Sequence, residues 1–485
     1  MNNNSHEVII IGSGFGGIAT AIRLQEAGIH DYIILERAPE PGGTWWQNTY
    51  PGAAVDVQSP LYCLKHEPYD WSRMFALQPE ILAYTNHLLD KHRLRSKIAC
   101  HQEVTAATYD DQNRCWQVTT ASDRLFTAPV LINASGILSQ PAIPDIPGRE
   151  QFQGESFHTS QWNHDFDYKG KRVAVIGTGA SAVQVVPAIA PQVAQLYVLQ
   201  RTPHWLLPRP DRIIPKWERQ LYKKVPLVQR LVREWLYWKL EARMIAFKGN
   251  QTALRFFRNK ALRYIKKQVK DPALRQKLTP DFMLGCKRVL LSNDYYPALQ
   301  RENVRLVTGG IERITPTGIQ TKQGEQLDVD LIVWATGFHA AEDNIPYPVR
   351  GRQGLLLQDY WHDGAHAYIG TAIPHFPNFF ILAGPNTGIG HTSALHIIES
   401  QLNYVMDTLL KMRQHGWQSV EVKEDIEKTY NKWVQEKMQK TVWQTGGCHS
   451  WYQTADGKNT TLYPTYSFLF RKATARMKEA DHLME

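Results

Sequence analysis

Two stretches of the chain join an apolar run to closely spaced glycines: Val8-Ile-Ile-Ile-Gly12-Ser-Gly14-Phe-Gly-Gly17 and Arg172-Val-Ala-Val-Ile-Gly177-Thr-Gly179-Ala-Ser181-Ala182. In the first, Gly12 permits a tight turn, Gly14 lets backbone approach a pyrophosphate, and Gly17 lets a helix lie close on the strand, with phosphates at the helix N-terminus. The second repeats the pattern with Ala182 in the third place and Ser181 beside it. The strand after each loop ends in a different charge. Tyr32 to Leu35 reads as a strand ending in Glu36, where an acid accepts from ribose hydroxyls. Leu196 to Leu199 ends in Gln200-Arg201-Thr202, where a cation and a hydroxyl suit a 2′-phosphate that an acid would repel. The chemistry predicted is hydride transfer between a phosphorylated and a non-phosphorylated dinucleotide, NADPH to FAD. A surface turn is the plain alternative for a lone glycine pattern, and a solvated charge for Arg201.

Such loops need parallel strand-helix-strand units to hold them. The spacing predicts a helix over 18–27, stopped by Gly28, and another running to about residue 190. Gly42-Gly43-Thr44-Trp45-Trp46-Gln47-Asn48-Thr49-Tyr50-Pro51-Gly52-Ala53-Ala54-Val55-Asp56 fits no helix or regular strand. It suits a loop over a cofactor, with Thr44 and Trp45 against the ligand and Asp56 delivered to its far end; a surface Asp in a rigid turn is the alternative. Segments over 100–131 alternate like antiparallel strands with a turn near Asn113. Leu131-Ile-Asn-Ala-Ser-Gly136 and Asp330-Leu-Ile-Val-Trp-Ala-Thr-Gly337 are apolar strands ending in small residues, as where backbone passes a nucleotide. Gly285-Cys286-Lys287-Arg288 sets two adjacent cations before an apolar strand, though a surface pair has the same appearance. A further strand runs into Gly384-Pro385-Asn386-Thr387-Gly388, whose amides suit the edge of a flavin ring. Between the two nucleotide loops, Phe152-Gln-Gly154-Glu-Ser-Phe-His158-Thr-Ser-Gln-Trp162 reads as a joint, although an ordinary packed linker has this composition too. The expected architecture is α/β, two Rossmann-like dinucleotide-binding domains with a helical insertion. Residues 1–148 with 368–485 would bind FAD, 149–163 would link, and 164–367 would bind NADP, carrying the helical insertion 205–283.

At 485 residues the chain has room for two or three domains, and its 43% hydrophobic and 21% charged content is that of a folded globular protein. With 15 Trp and 21 Tyr it can wall flat cofactors, and packing explains the same residues. The net charge of +9 is densest over 209–277, without zinc-finger spacing or an arginine-glycine tract, so nucleic acid is not expected. The basic and aromatic faces of the insertion suit peripheral contact with a membrane surface or partner, while a solvated face over a packed one is the ordinary reading. No apolar run approaches a membrane span. Five scattered cysteines without C-x-x-C argue for a reducing compartment and against dithiol chemistry; with no signal-like start, a cytoplasmic protein is expected. No metal-ligand spacing occurs, and no metal is expected.

Phe152, Gly154, His158 and Trp162 form F-x-G-x-x-x-H-x-x-x-W, and Gly43-x-Trp45 leads through Tyr50-Pro51-Gly52 to Asp56. On these motifs nearly the whole chain resembles the class B flavin-dependent monooxygenases, most closely the type I Baeyer-Villiger monooxygenases. Asn163 stands where the family pattern prefers Pro or Asp. The resemblance implies that NADPH reduces FAD, that O2 adds at the flavin C4a carbon, and that the peroxyflavin attacks a ketone to give an ester or lactone. It implies Arg288 as the cation that keeps the peroxide deprotonated, Asp56 as its orienting partner, and Lys287 with Arg201 on the 2′-phosphate. It gives Phe152, Gly154, His158 and Trp162 a domain-coupling role. Oxygenation of amines or sulfides is the alternative that Asn163 keeps open; an NADPH-dependent flavin reductase and a non-catalytic NADP-sensing module are two more.

Overall fold

The computed structural model describes residues 4–339 and 345–485. Residues 1–3 of the N-terminal start and 340–344 of the span expected for the second half lie outside the described residues. Two all-parallel five-stranded sheets form the frame. The first runs in the order Phe379–Ile381, Val130–Asn133, Val8–Ile11, Tyr32–Leu35, Ile98–Ala99. The second runs Val304–Val307, Gln195–Leu199, Arg172–Ile176, Leu331–Trp334, Glu155–His158. Val8–Ile11 and Leu331–Trp334 are buried at every position, which is why they read as unbroken apolar runs: a parallel strand covered on both faces has no solvent side to alternate with. Helices Phe15–Glu26 and Ala180–Ile189 come directly after the two glycine loops. The region over 100–131 forms the antiparallel strands Val104–Asp110, Cys115–Thr120 and Leu125–Ala128.

Three boundaries differ from those expected. The span 149–163 is no free linker: Glu155–His158 is the edge strand of the second sheet, in parallel register with Leu331–Trp334. The Ser156 hydroxyl accepts from the Trp334 indole at 2.7 Å. Second, residues 345–367 belong with the first half, because Val349–Arg350 pairs with Val104–Asp110 and Ile345, Tyr347, Val349 and Leu357 share its core. Third, Ile143 and Ile146, before the expected boundary at 148, already pack against the core of the second sheet. The insertion is helical as expected, with Lys216–Lys224, Pro226–Glu241, Met244–Phe247, Gln251–Gln268 and Pro272–Leu278. Its two stems, Leu206–Leu207 and Leu290–Leu291, pair in parallel.

The cysteines also differ from expectation. Cys286 and Cys448, 162 residues apart, form a disulfide, which removes their scatter as an argument for a reducing compartment. The bridge fastens the loop preceding Lys287 and Arg288 to the C-terminal segment that carries Trp451 and Tyr452. Among the described residues no helix is long and apolar enough to cross a membrane.

Candidate functional site

Both glycine loops leave the carboxyl ends of their sheets, where open α/β sheets gather ligands, and both face one cleft of about 1480 Å³. That exceeds the ~300–1,000 Å³ of an ordinary small-molecule pocket, so there is room for two extended cofactors. Gly12 has φ of 98°, and a Cβ on it would stand 2.7 Å from the Ala134 carbonyl oxygen. A Cβ on Gly17 would stand 2.0 Å from the Gly12 carbonyl, so Gly17 is a packing residue where helix meets strand. A Cβ on Gly177, at φ 117°, would stand 2.3 Å from the Ala335 carbonyl oxygen, whereas one on Gly179 would meet nothing within 4 Å. The ligand side of the second loop is therefore open. Helices Phe15–Glu26 and Ala180–Ile189 begin with no side-chain cap and no acid in the first turn. Their leading N–H groups are left for an outside acceptor, and a phosphate is the group this arrangement suits. Ser181 lies in the first turn of the second helix and faces the cleft.

The groups after the second strands differ in charge, as read from the sequence. Glu36 is buried and binds its own loop: one carboxylate oxygen accepts from the Ser13 amide at 2.8 Å and hydroxyl at 2.6 Å, the other from the Ala38 amide at 2.9 Å. The second oxygen keeps a lone pair for a ribose hydroxyl. Arg201 and Thr202 line the cleft, and the Thr202 carbonyl accepts from Thr178 at 2.7 Å. Lys287 stands near Arg201; burial, and then the arginine's charge, hold its pKa below the usual lysine value. Among the described residues neither cation makes an ion pair. Two neighbouring cations, neither ion-paired among the described residues, suit a doubly charged anion.

Asp56 and Arg288 meet in the same cleft. The Arg288 Nε donates to one Asp56 oxygen at 2.8 Å, and Nη2 lies 2.7 Å from the same oxygen in an ion pair. The pair lies deep in the protein but opens onto the cleft, leaving 29% of Arg288 and 35% of Asp56 side-chain surface reachable. The Asp56 charge, against the opposing effect of burial, pushes the Arg288 pKa up, so its positive charge is permanent. Tyr62 and Tyr452 flank it, each pushed up to about 12 by burial, and they remain neutral donors. Gly42 to Asp56 is not wholly irregular: Thr44–Gln47 forms one helical turn. Its Trp45 indole donates to the Tyr62 hydroxyl at 3.1 Å.

The other expected site residues lie elsewhere. Asn386 is not on the cleft wall; its amide donates to the Asn459 and Leu462 carbonyls at 2.9 and 3.0 Å, holding the C-terminal segment in place. Phe152, Gly154, His158 and Trp162 do not line the cleft either, although His158 packs on the ring of Phe338, which does. A Cβ on Gly154 would strike the Phe152 ring at 2.5 Å, and Trp162 packs on Phe157 with ring centroids 5.0 Å apart. Asn163 closes a local turn, bonding Glu155 at 3.0 Å and the Asp165 amide at 3.0 Å.

His158 is fully buried, its Nδ1 accepting from the Ser160 amide at 3.1 Å. Burial, only partly countered by a backbone bond to Gly337, brings its pKa down from 6.5 to about 4. The unfolded chain therefore binds this proton more readily than the folded one. Stability from this group is full above the ordinary histidine pKa and is lost as pH falls from 6.5 toward about 4. We expect up to about 3 kcal/mol from His158 over that window. His158→Phe should flatten denaturant midpoints measured across it, and a wild-type slope in the variant would contradict this.

Three residues at the site escape sequence reading. Gln184, in the helix Ala180–Ile189, accepts from the Tyr50 hydroxyl at 2.9 Å and donates to the Ala54 carbonyl at 2.9 Å, latching the second half onto the segment that carries Asp56. Its only signal is a lone amide in an otherwise apolar helix. Tyr452 comes from a segment far along the chain. His204 lies beside Lys287 and is brought down to about 4, by burial first and the lysine second.

A family model described as pyridine nucleotide-disulphide oxidoreductase matches residues 9–226. A Baeyer-Villiger monooxygenase of Pseudomonas aeruginosa is 46% identical over 481 residues, covering 98% of this chain and 91% of that protein. A Baeyer-Villiger monooxygenase of Streptomyces coelicolor is 43% identical over 477 residues, covering 98% and 92%. Among solved structures, OTEMO in complex with FAD and NADP superposes with a TM-score of 0.89 at 28% identity, over 99% of both chains.

Proposed function

Since this chain belongs to the Baeyer-Villiger monooxygenases, FAD- and NADPH-dependent enzymes, we propose that the shared cleft holds FAD on the first glycine loop and NADPH on the second. In this reading Arg288 is the catalytic cation for turning a ketone and O2 into an ester or lactone. When bound, FAD supplies the redox centre that takes a hydride from NADPH and passes one oxygen atom of O2 to the carbonyl substrate. Gly12, Gly14 and the uncapped amides of Phe15–Glu26 would cradle the FAD pyrophosphate, with Glu36 on the ribose and Thr44 and Trp45 covering the cofactor. Gly177, Gly179, Ser181 and Thr202 would take the NADPH phosphates, and Arg201 and Lys287 its 2′-phosphate.

The Asp56–Arg288 pair facing the cleft that both glycine loops share carries the reading. Oxygen transfer to a carbonyl gathers negative charge on oxygen, and a fixed guanidinium held by a carboxylate stabilises that charge without reorganising. Asp56 holds Nε and Nη2 with one oxygen, and the guanidinium so held lines the cleft with Tyr452 beside it. Phe152, Gly154, His158 and Trp162 shape the second sheet, and the Gln184 latch carries that sheet's position to the segment of Asp56. Asn163, spent on its own turn away from the cleft, does not alter the oxygen-transfer centre. FAD-loaded protein given NADPH, O2 and a panel of ketones beside a sulfide should yield esters or lactones; sulfoxide with no ester from any ketone would turn the reading to amine and sulfide oxygenation.

A further inference from the structure

We propose that the outer face of the helical insertion is a docking surface for an anionic lipid bilayer. Residues 205–283 hold 20 Lys and Arg against six Asp and Glu, a net +14, whereas the whole chain carries +9. Everything outside the insertion is net negative, so the basicity of this protein belongs to one element. Helix Pro226–Glu241 has two apolar faces. Leu236, Tyr237 and Leu240 point into the protein. Leu227, Leu231, Trp235 and Trp238 are 55 to 62% exposed, and their spacing of four, four and three residues sets them in one row along the helix. A helix packed on a globular core needs only the first face.

The exposed row is part of a larger patch. Separately, Trp217, 67% exposed, and Leu221 form a second exposed apolar pair one turn apart on Lys216–Lys224. The Trp238 ring meets that of the exposed Phe468 at 5.8 Å, which brings in helix Ser467–Ala473 and its Leu469. Scattered single apolar residues need no explanation, but a row of four on one helix face, joined to Phe468 and carrying two indoles, marks an interaction surface. Its border is cationic. The Lys239 ammonium stands 4.5 Å over the Trp235 ring, and Lys224, Arg230, Arg471 and Lys472 are exposed. Indoles with lysines and arginines around them are the composition of an element lying at the level of lipid headgroups.

Charge selects the occupant. A second copy would set +14 against +14, with few acids to offset it. Glu218 is bound to Arg212 and Glu241 is buried against His391, leaving Glu234 the one exposed acid on Pro226–Glu241. A bilayer containing anionic lipid presents phosphates to the border and an apolar interior to the indoles. The inner side of the same helix is part of the site: Leu240 lines a chamber of about 70 Å³ beside Asp56 and Arg288. Resting on the function proposed above, docking sets that chamber next to a phase in which apolar ketones concentrate.

The test is flotation of the FAD-loaded full chain with phosphatidylcholine vesicles, with and without phosphatidylglycerol. The protein should float with the anionic vesicles only and should be released by high salt. Trp235→Ser with Trp238→Ser, and separately Lys224→Glu with Arg230→Glu, should each weaken binding by more than about tenfold. Both double variants should keep wild-type NADPH-dependent turnover of a water-soluble ketone. Equal flotation with neutral vesicles, wild-type binding by both double variants, or a dimer that the tryptophan changes dissolve while vesicles stay unbound would each overturn the proposal. Because flotation needs no turnover, a failure of the proposed reaction would leave this result readable by itself.

Discussion

Replacing Arg288 with Ala is expected to cut ester formation roughly 10²- to 10³-fold, the cost of removing one preorganised charge-stabilising group, while FAD stays bound and NADPH is still consumed. The cofactor loops do not depend on this side chain, so the first half of the reaction continues and the reducing equivalents end in hydrogen peroxide. Arg288→Lys should recover little. A lysine presents a point charge where Nε and Nη2 now share one Asp56 oxygen, and it cannot keep that grip and face the cleft together. Ester by gas chromatography, set against NADPH absorbance and peroxide in the same reaction, reads both halves. Ester at the wild-type rate from Arg288→Ala would remove the arginine from the chemistry.

The second large effect concerns cofactor choice. Arg201→Ala with Lys287→Ala should lower kcat/KM for NADPH by about 10²- to 10³-fold and leave that for NADH nearly unchanged, since each charge-assisted bond contributes about 1.5–3 kcal/mol. Lys287 alone is informative because its pKa is held down by burial and then by Arg201. Arg201→Ala should therefore raise the lysine pKa, and a bound 2′-phosphate should do the same. A ratio of NADPH to NADH efficiency that is the same in the double variant as in the wild type would sink the assignment.

The two phosphate loops can be read from the sequence because their requirements are local. Gly12 and Gly177 need φ angles that a side chain resists, the flanking strands are apolar throughout, and the acid or cation comes at a fixed spacing. Asp56 and Arg288 are individually visible, but their pairing is not: they lie 232 residues apart, and no local pattern sets that distance. The same limit explains the joint. Phe152 to Trp162 looks like a linker because nothing within the string shows that Leu331–Trp334 lies alongside it. Asn386 is legible as a loop residue but not in its direction, because whether its amide meets a ligand or the backbone at 459 and 462 depends on a segment folded over it later. Cys286 and Cys448 repeat the lesson, being partners only once the insertion and the C-terminal segment are placed.

The order of strands in the two sheets has a consequence for how the protein is made. Every strand of the second sheet comes from 155–334, while the first sheet ends on Phe379–Ile381, beside Val130–Asn133. On the ribosome the second sheet can therefore close while the first still lacks an edge strand, although the first begins at residue 8. Contacts this distant in sequence are slow to form. The N-terminal half must wait, with Val130–Asn133 uncovered on one side, for a strand synthesised after the whole of its neighbour, and the newborn chain is most exposed to aggregation during that interval.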